Sequence, residues 1–350
     1  MIVNSKRPLL LPFSYVFGAA VVVRNWFFDI GVLRSQSVGV PVISVGNVSA
    51  GGVGKTPFVE FLVKKLAHKG RKVAVVSRGY RRATSGMVVV SNGTTRCAEA
   101  SESGDEPAQM AAKLDGAVVI VDEQRVRGAQ YAVHKFGANV IVLDDGFQHR
   151  YVWRDADLVI LSADEVGDPG WLLPAGNRRE PLSSLRRASL IAVSRCESLQ
   201  HFDGVLQILR RWTDKPAIGL STKVSAFRKA STRFSVDLGG LKGKSVMAFS
   251  GIGNPEAFEK TLRSLGLDVR KSIAFPDHHT YSESELKELE QGARELGVDF
   301  LVTTEKDVAR LGSKNVPYKA FLDSATLYYV EIEQAILQGE SLLNEVLDRI

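Results

Sequence analysis

Cysteine is nearly absent: Cys97 and Cys196 are the two in 350 residues, and neither stands in a CxxC pair. That excludes a disulfide framework and a structural zinc site, and it fits a reducing compartment. Low-complexity tracts and repeats of fixed period are also missing, which removes solenoid and scaffold classes. Basic residues are dispersed without a long run, so the net charge of +6 gives no nucleic-acid footprint and leaves anionic phosphate or lipid partners open. The longest apolar stretch, Leu9 to Val23, contains Pro12 and is stopped by Arg24, short of the roughly 20 residues a membrane span needs.

What is there begins at Val42–Thr56, VISVGNVSAGGVGKT: a β-branched run, a glycine-rich turn, then Lys-Thr and a helix-like segment from Pro57. This order is that of a phosphate-binding loop. Gly51, Gly52 and Gly54 let backbone N–H groups face a triphosphate, Lys55 reaches the outer phosphates, and the Thr56 hydroxyl can hold Mg²⁺. Ser49 replaces the first glycine of the strict pattern. Ala50 stands where dimeric partitioning ATPases carry a lysine, which argues against that branch.

Apolar runs recur at Val42–Val45, Val73–Val76, Val118–Val121, Val140–Leu143, Leu158–Leu161 and Leu190–Val193, separated by helical composition. The alternation predicts an α/β fold, a P-loop NTPase-like parallel sheet covered on both faces. Extended segments at Ile218–Val224 and Phe234–Val236 suggest a β-ribbon linker. A second, smaller α/β set follows at Val246–Phe249, Val269–Phe275, Phe300–Val302 and Tyr328–Ile332. We therefore expect a first domain over 1–215, a linker over 216–240 and a smaller domain over 241–350. Polar clusters at the carboxyl ends of the strands place the expected site between the two domains.

Asp144 ends an apolar run, where P-loop proteins keep the carboxylate that orients Mg²⁺, and Asp145 adds a second charge that a nearby cation would relieve. Asp105, in Gly104-Asp105-Glu106-Pro107 ahead of a helix-like segment, reads equally as a helix cap and as the acceptor of a proton from an attacking hydroxyl. Phe275-Pro276-Asp277-His278-His279 follows a strand; an acid beside a histidine can fix its tautomer, and a turn with surface histidines is the plain alternative. Arg178, Arg179 and Glu180 suit phosphate or sugar oxygens, with surface charge competing.

Taken in order, GNVSAGGVGKTP, SRGYRR, GDEP, LDDGFQHR, LPAGNRREP, AFSGIGNP, DHH and TTEKD resemble the blocks of the tetraacyldisaccharide 4′-kinase family, the lipid A 4′-kinases of Gram-negative bacteria. The resemblance implies transfer of the ATP γ-phosphoryl group to the 4′-hydroxyl of a tetraacylated glucosamine disaccharide 1-phosphate. It further implies a monomer working at the cytoplasmic face of the inner membrane. By that likeness Asp105 is the base, paired with His278, which Asp277 supports. Asn47, Gly51, Gly52, Val53, Gly54 and Lys55 bind ATP with Thr56, Gln148, Arg179 and Glu180. Thr56, Glu106, Asp144 and Asp145 serve Mg²⁺. Asn177-Arg178 and Arg81 depart from the family's usual residues.

A four-chain acceptor stays in the bilayer, which gives the apolar N-terminus a use: Phe13, Val16, Phe17, Ala20 and Phe27 fall at helical spacing for lying in a membrane interface. A secretory signal, or a helix packed on the protein's own core, is the competing reading. Two other functions share the loop. A nucleotide-dependent switch would need no acceptor base and lacks an NKxD-like motif here, and a kinase of a soluble metabolite would leave the N-terminal helix as plain core.

Overall fold

The computed structural model describes residues 8–80, 82–168, 170–277, 279–311, 321 and 326–350. The chain divides into two compact units, Val3–Thr222 with Gln334–Ile350 and Lys223–Glu333.

In the larger unit the β-branched runs form β1 (Val42–Gly46), β2 (Val73–Ser77), β3 (Val88–Asn92), β4 (Val118–Val121), β5 (Val140–Asp144), β6 (Ala156–Ser162), β7 (Leu190–Ser194) and the start of β8 (Ala217–Lys229). Their order is β8-β7-β6-β1-β5-β2-β4-β3. All neighbours pair in parallel except β3, which runs antiparallel to β4. Strands β1, β2, β4, β5, β6 and β7 are buried along their whole length, as a sheet with helices on both faces requires. Because β5 and β6 flank β1, whatever follows them stands beside the turn that follows β1.

The smaller unit holds the rest of β8, β9 (Ser235–Val236), β10 (Ser245–Ser250), β11 (Asp268–Ala274), β12 (Phe300–Thr304) and most of β13 (Leu327–Gln338). Its parallel order is β11-β10-β12-β13, and β9 pairs antiparallel with β8. The C-terminus groups with the larger unit: Leu343 and Leu347 of helix Glu340–Asp348 are buried in the cluster that holds Leu190 and Ile218. The sequence reading leaves this helix with the smaller domain, because its leucines do not say which core receives them.

The N-terminal apolar segment is a helix over Pro8–Asp29, 22 residues, long and apolar enough to cross a membrane. This corrects the expectation of a stretch too short to do so. Pro12 sits in the first turn, where it removes no helical hydrogen bond, and the helix continues past Arg24.

Candidate active site

The turn after β1 reaches helix Lys55–His68 through Gly54, whose φ of +90° explains the glycine there. Lys55 starts that helix and points back along the loop, its Nζ 3.2 Å from Asn47 Oδ1 and 3.4 Å from Asp145 Oδ1. Asn47 is fully buried and donates from Nδ2 to the Ser49 carbonyl at 2.6 Å, while Gln148 Nε2 donates to the Asn47 carbonyl at 2.8 Å. The Arg179 N–H donates to the Val48 carbonyl at 2.7 Å. Thr56 is buried one residue on from Lys55. Asn47, Lys55, Asp145, Gln148 and Arg179, all expected at the site, are therefore brought together around the loop.

The doubled aspartate at the end of β5 splits into two environments. Asp145, in a left-handed conformation with φ +50°, receives Arg179 Nη1 on both oxygens at 3.0 and 2.8 Å. Burial works to raise its pKa, but Lys55 and Arg179 outweigh it and hold it down at about 2. Asp144 is buried and accepts one hydrogen bond, from Ser77 Oγ at 2.9 Å, while its Oδ1 is enclosed with no partner. Burial first, then the Glu106 and Asp145 carboxylates, push its pKa up to about 6. The three carboxylates thus share one region, Glu106 coming from the first turn of helix Asp105–Lys113 together with Asp105; both are half-buried.

A bare buried oxygen among repelling carboxylates fits a cation. No group of three His, Cys, Asp or Glu among the described residues makes a ready metal cage.

Two predicted ligands lie elsewhere. Glu180 is fully buried, and its carboxylate accepts from Arg187 at 2.9 and 3.2 Å and from Asn25 Nδ2 at 2.9 Å, so it ties the N-terminal helix to the body instead of facing the loop. Arg178 is also buried and donates to the carbonyls of Glu165 and Asp168, which makes it a strut for its own turn. Asp277 belongs to the smaller unit and is exposed, beside Gly253. His278 lies outside the described residues, as does Arg81. Sequence reasoning passed over Arg125, which is buried and donates from Nη1 to the Asp145 carbonyl at 3.1 Å. His149, which the family likeness maps onto a matching polar position, has its Nε2 buried without a partner, and burial and then Arg125 and Arg154 lower its pKa to about 4.

A family model described as LpxK, tetraacyldisaccharide-1-P 4′-kinase, matches residues 6–350. The chain belongs to this family. It is accordingly a phosphotransferase, an ATP-dependent lipid A 4′-kinase. Among similar proteins, a tetraacyldisaccharide 4′-kinase of Anaeromyxobacter dehalogenans is 37% identical over 343 residues, covering 97% of this chain and 89% of that one. One from Chlorobium limicola is 35% identical over 352 residues, covering 99% of each. A crystal structure of the "apo" form of LpxK from Aquifex aeolicus in complex with ATP matches with a TM-score of 0.77 and 32% identity, covering 98% of both chains. For a family of phosphotransferases, a lysine and three carboxylates gathered at a glycine turn can neutralise phosphate charge and take up a proton.

Proposed function

We propose that the larger unit is the kinase domain and holds ATP on the loop Asn47–Thr56, with Mg²⁺ at Asp144, Glu106 and Thr56. The observation that carries this is the enclosed, partnerless Asp144 Oδ1, one residue before the Asp145 carboxylate that Lys55 meets at 3.4 Å. The crystallised Aquifex relative was in complex with ATP, which supports the same donor here. Mg²⁺ when bound there would offset the negative charge of the phosphates.

The chain's own groups do the rest. Loop N–H groups and Lys55 hold the phosphates, and Arg179 with Lys55 keeps Asp145 ionised, so that Asp145 anchors Lys55 in place. Asp105 takes the proton of the 4′-hydroxyl as that oxygen bonds to the γ-phosphorus; the bond from this phosphorus to the bridging oxygen breaks, and ADP leaves. A loose transition state needs positioning more than a strong base, so a carboxylate suffices. The family resemblance assigns Asp277 and His278 to support of this step.

The N-terminal helix supports an interfacial site of action at the inner membrane's cytoplasmic face, because most of its large apolar side chains are exposed. Its protein-facing side is Ser14, Gly18, Val21 and Phe28, with Ser14 Oγ donating to the Leu172 carbonyl at 2.9 Å, whereas Phe13, Tyr15, Val16, Val22, Val23 and Trp26 are exposed. A helix that buries Ser14 and Gly18 while leaving six large apolar side chains outward suits a lipid surface, where a four-chain substrate resides.

The test is mass spectrometry of tetraacyldisaccharide 1-phosphate in detergent micelles after incubation with ATP. One added phosphate on the lipid, with ADP formed in step, is expected. ATP turnover that is equal with and without lipid, and lipid of unchanged mass, would overturn the reading in favour of a nucleotide switch.

A further inference from the structure

Of the three described residues other than glycine that adopt a left-handed backbone, two stand directly after strands of the larger unit: Asp145, at φ +50° after β5, and Arg195, at φ +61° after β7. Asp145 belongs to the carboxylate site. Arg195 has no part in anything described so far. A residue with a side chain persists in that conformation only where its surroundings over-determine it, and such residues gather at working sites. Around Arg195 the surroundings are the phosphate loop. Its Nη2 donates to the Gly52 carbonyl at 2.6 Å, and its Nη1 to Asp164 Oδ2 at 3.3 Å. The preceding residue, Ser194, is buried and donates from Oγ to the Val53 carbonyl at 2.6 Å. Two consecutive carbonyls of the loop are thus held by two consecutive side chains at the end of β7.

The planar trans peptide turns this into a statement about donors. Fixing the Val53 carbonyl toward Ser194 turns the Gly54 N–H the opposite way, and fixing the Gly52 carbonyl toward Arg195 sets the direction of the Val53 N–H, which closes the turn by donating to the Gly51 carbonyl at 3.1 Å. The backing continues at Gly54, where a Cβ would lie 3.3 Å from Gln334 Nε2, a buried side chain of β13. We propose that Ser194-Arg195 is a clasp on the phosphate loop and that Arg195 is a positioning residue setting its affinity for the triphosphate. This rests on the reading of the loop as the ATP site.

Arg195→Gly separates the two roles, because glycine keeps the left-handed backbone without strain while removing the guanidinium. Calorimetric titration with MgATP should show Kd raised about tenfold, the worth of one charge-assisted hydrogen bond. The unfolding midpoint without nucleotide should hold or rise, and KM for the lipid should stay unchanged. Arg195→Lys, which keeps the charge without the fork, should recover part of the loss and serves as the reading if Arg195→Gly does not fold. Kd within about twofold of wild type in the folded variants would overturn the clasp, since that is well under the tenfold change one such bond predicts. Wild-type protein that binds no MgATP would overturn the reading of the loop itself, and the clasp with it.

Discussion

Two buried aspartates stand where parallel strands end, Asp144 closing β5 in the larger unit and Asp307 just beyond β12 in the smaller one, and their surroundings are opposite. Asp307 accepts from the Gly251 N–H at 3.2 and 3.3 Å, Tyr281 Oη at 3.0 Å, Arg310 Nη1 at 2.9 Å, and the hydroxyls of Thr303 and Thr304 at 3.3 and 2.6 Å. Asp144 accepts from Ser77, and its other oxygen faces the field of two more carboxylates. A buried charge with a full set of donors is finished by the protein and serves the fold, here by pinning the turn after β10 to Tyr281 and to helix Glu305–Leu311. A buried charge left short of donors is finished by something from outside. The TTEKD block is thus architecture at its last residue, whereas the DD block is where the proposed binding site lies.

The comparison breaks first if the open site does no chemistry. Asp105→Asn should lower kcat by about 10²–10⁴-fold, the usual contribution of a positioned acid or base, while MgATP affinity measured by titration holds. Weakened MgATP affinity with an unchanged single-turnover rate at saturating nucleotide would remove Asp105 from that role.

The two aspartates should then respond with opposite signs. Asp307→Ala removes the acidic half of a buried ion pair with Arg310 and is expected to cost about 3–5 kcal/mol in urea unfolding of the chain without ligands. Asp144→Asn removes a desolvated, repelled charge and should stabilise the same preparation by about 1–3 kcal/mol, yet forfeit the rise in unfolding midpoint that Mg²⁺ with ATP gives the wild type. Destabilisation by both substitutions would mean that Asp144 is as structurally complete as Asp307.

This contrast also marks what the sequence could reveal. β1, β2 and β4 to β7 are legible because β-branched runs between helical segments announce a parallel sheet, and the loop because glycine, lysine and hydroxyl stand at fixed spacing. β3 is missed: VVVSN lies half-buried at an antiparallel edge and follows no helix. Charged residues are harder, because a charge says nothing of its partner. Glu180 looks like a ligand until Asn25 and Arg187 close on it, and Arg125 and Arg195 are single arginines among 45 basic residues. Asp307 was quoted within a motif, but its role depends on Gly251 and Tyr281, which only folding brings near.

The finest test of the contrast is its pH dependence. The folded pKa of Asp144, about 6, lies above the ordinary carboxylate value of 3.8, so the folded state binds more protons between those values. Stability owed to this group therefore falls as pH rises through that window, and its penalty is complete above pH 6. His149 runs the other way, since its lowered pKa of about 4 makes stability fall as pH drops below the imidazole's ordinary 6.5. Asp145, held at about 2, stays ionised throughout. Wild type alone would blur these effects, but the difference between Asp144→Asn and wild type cancels the His149 and Asp145 contributions. With chelator and without nucleotide, the stabilisation by Asp144→Asn should be full at pH 7.5 and smaller by about 1 kcal/mol at pH 5, where wild-type Asp144 is protonated in the fold. A gain that is flat across this range, or that grows toward pH 5, would show that Asp144 ionises at an ordinary pKa and that the carboxylate cluster carries no unmet demand for a cation.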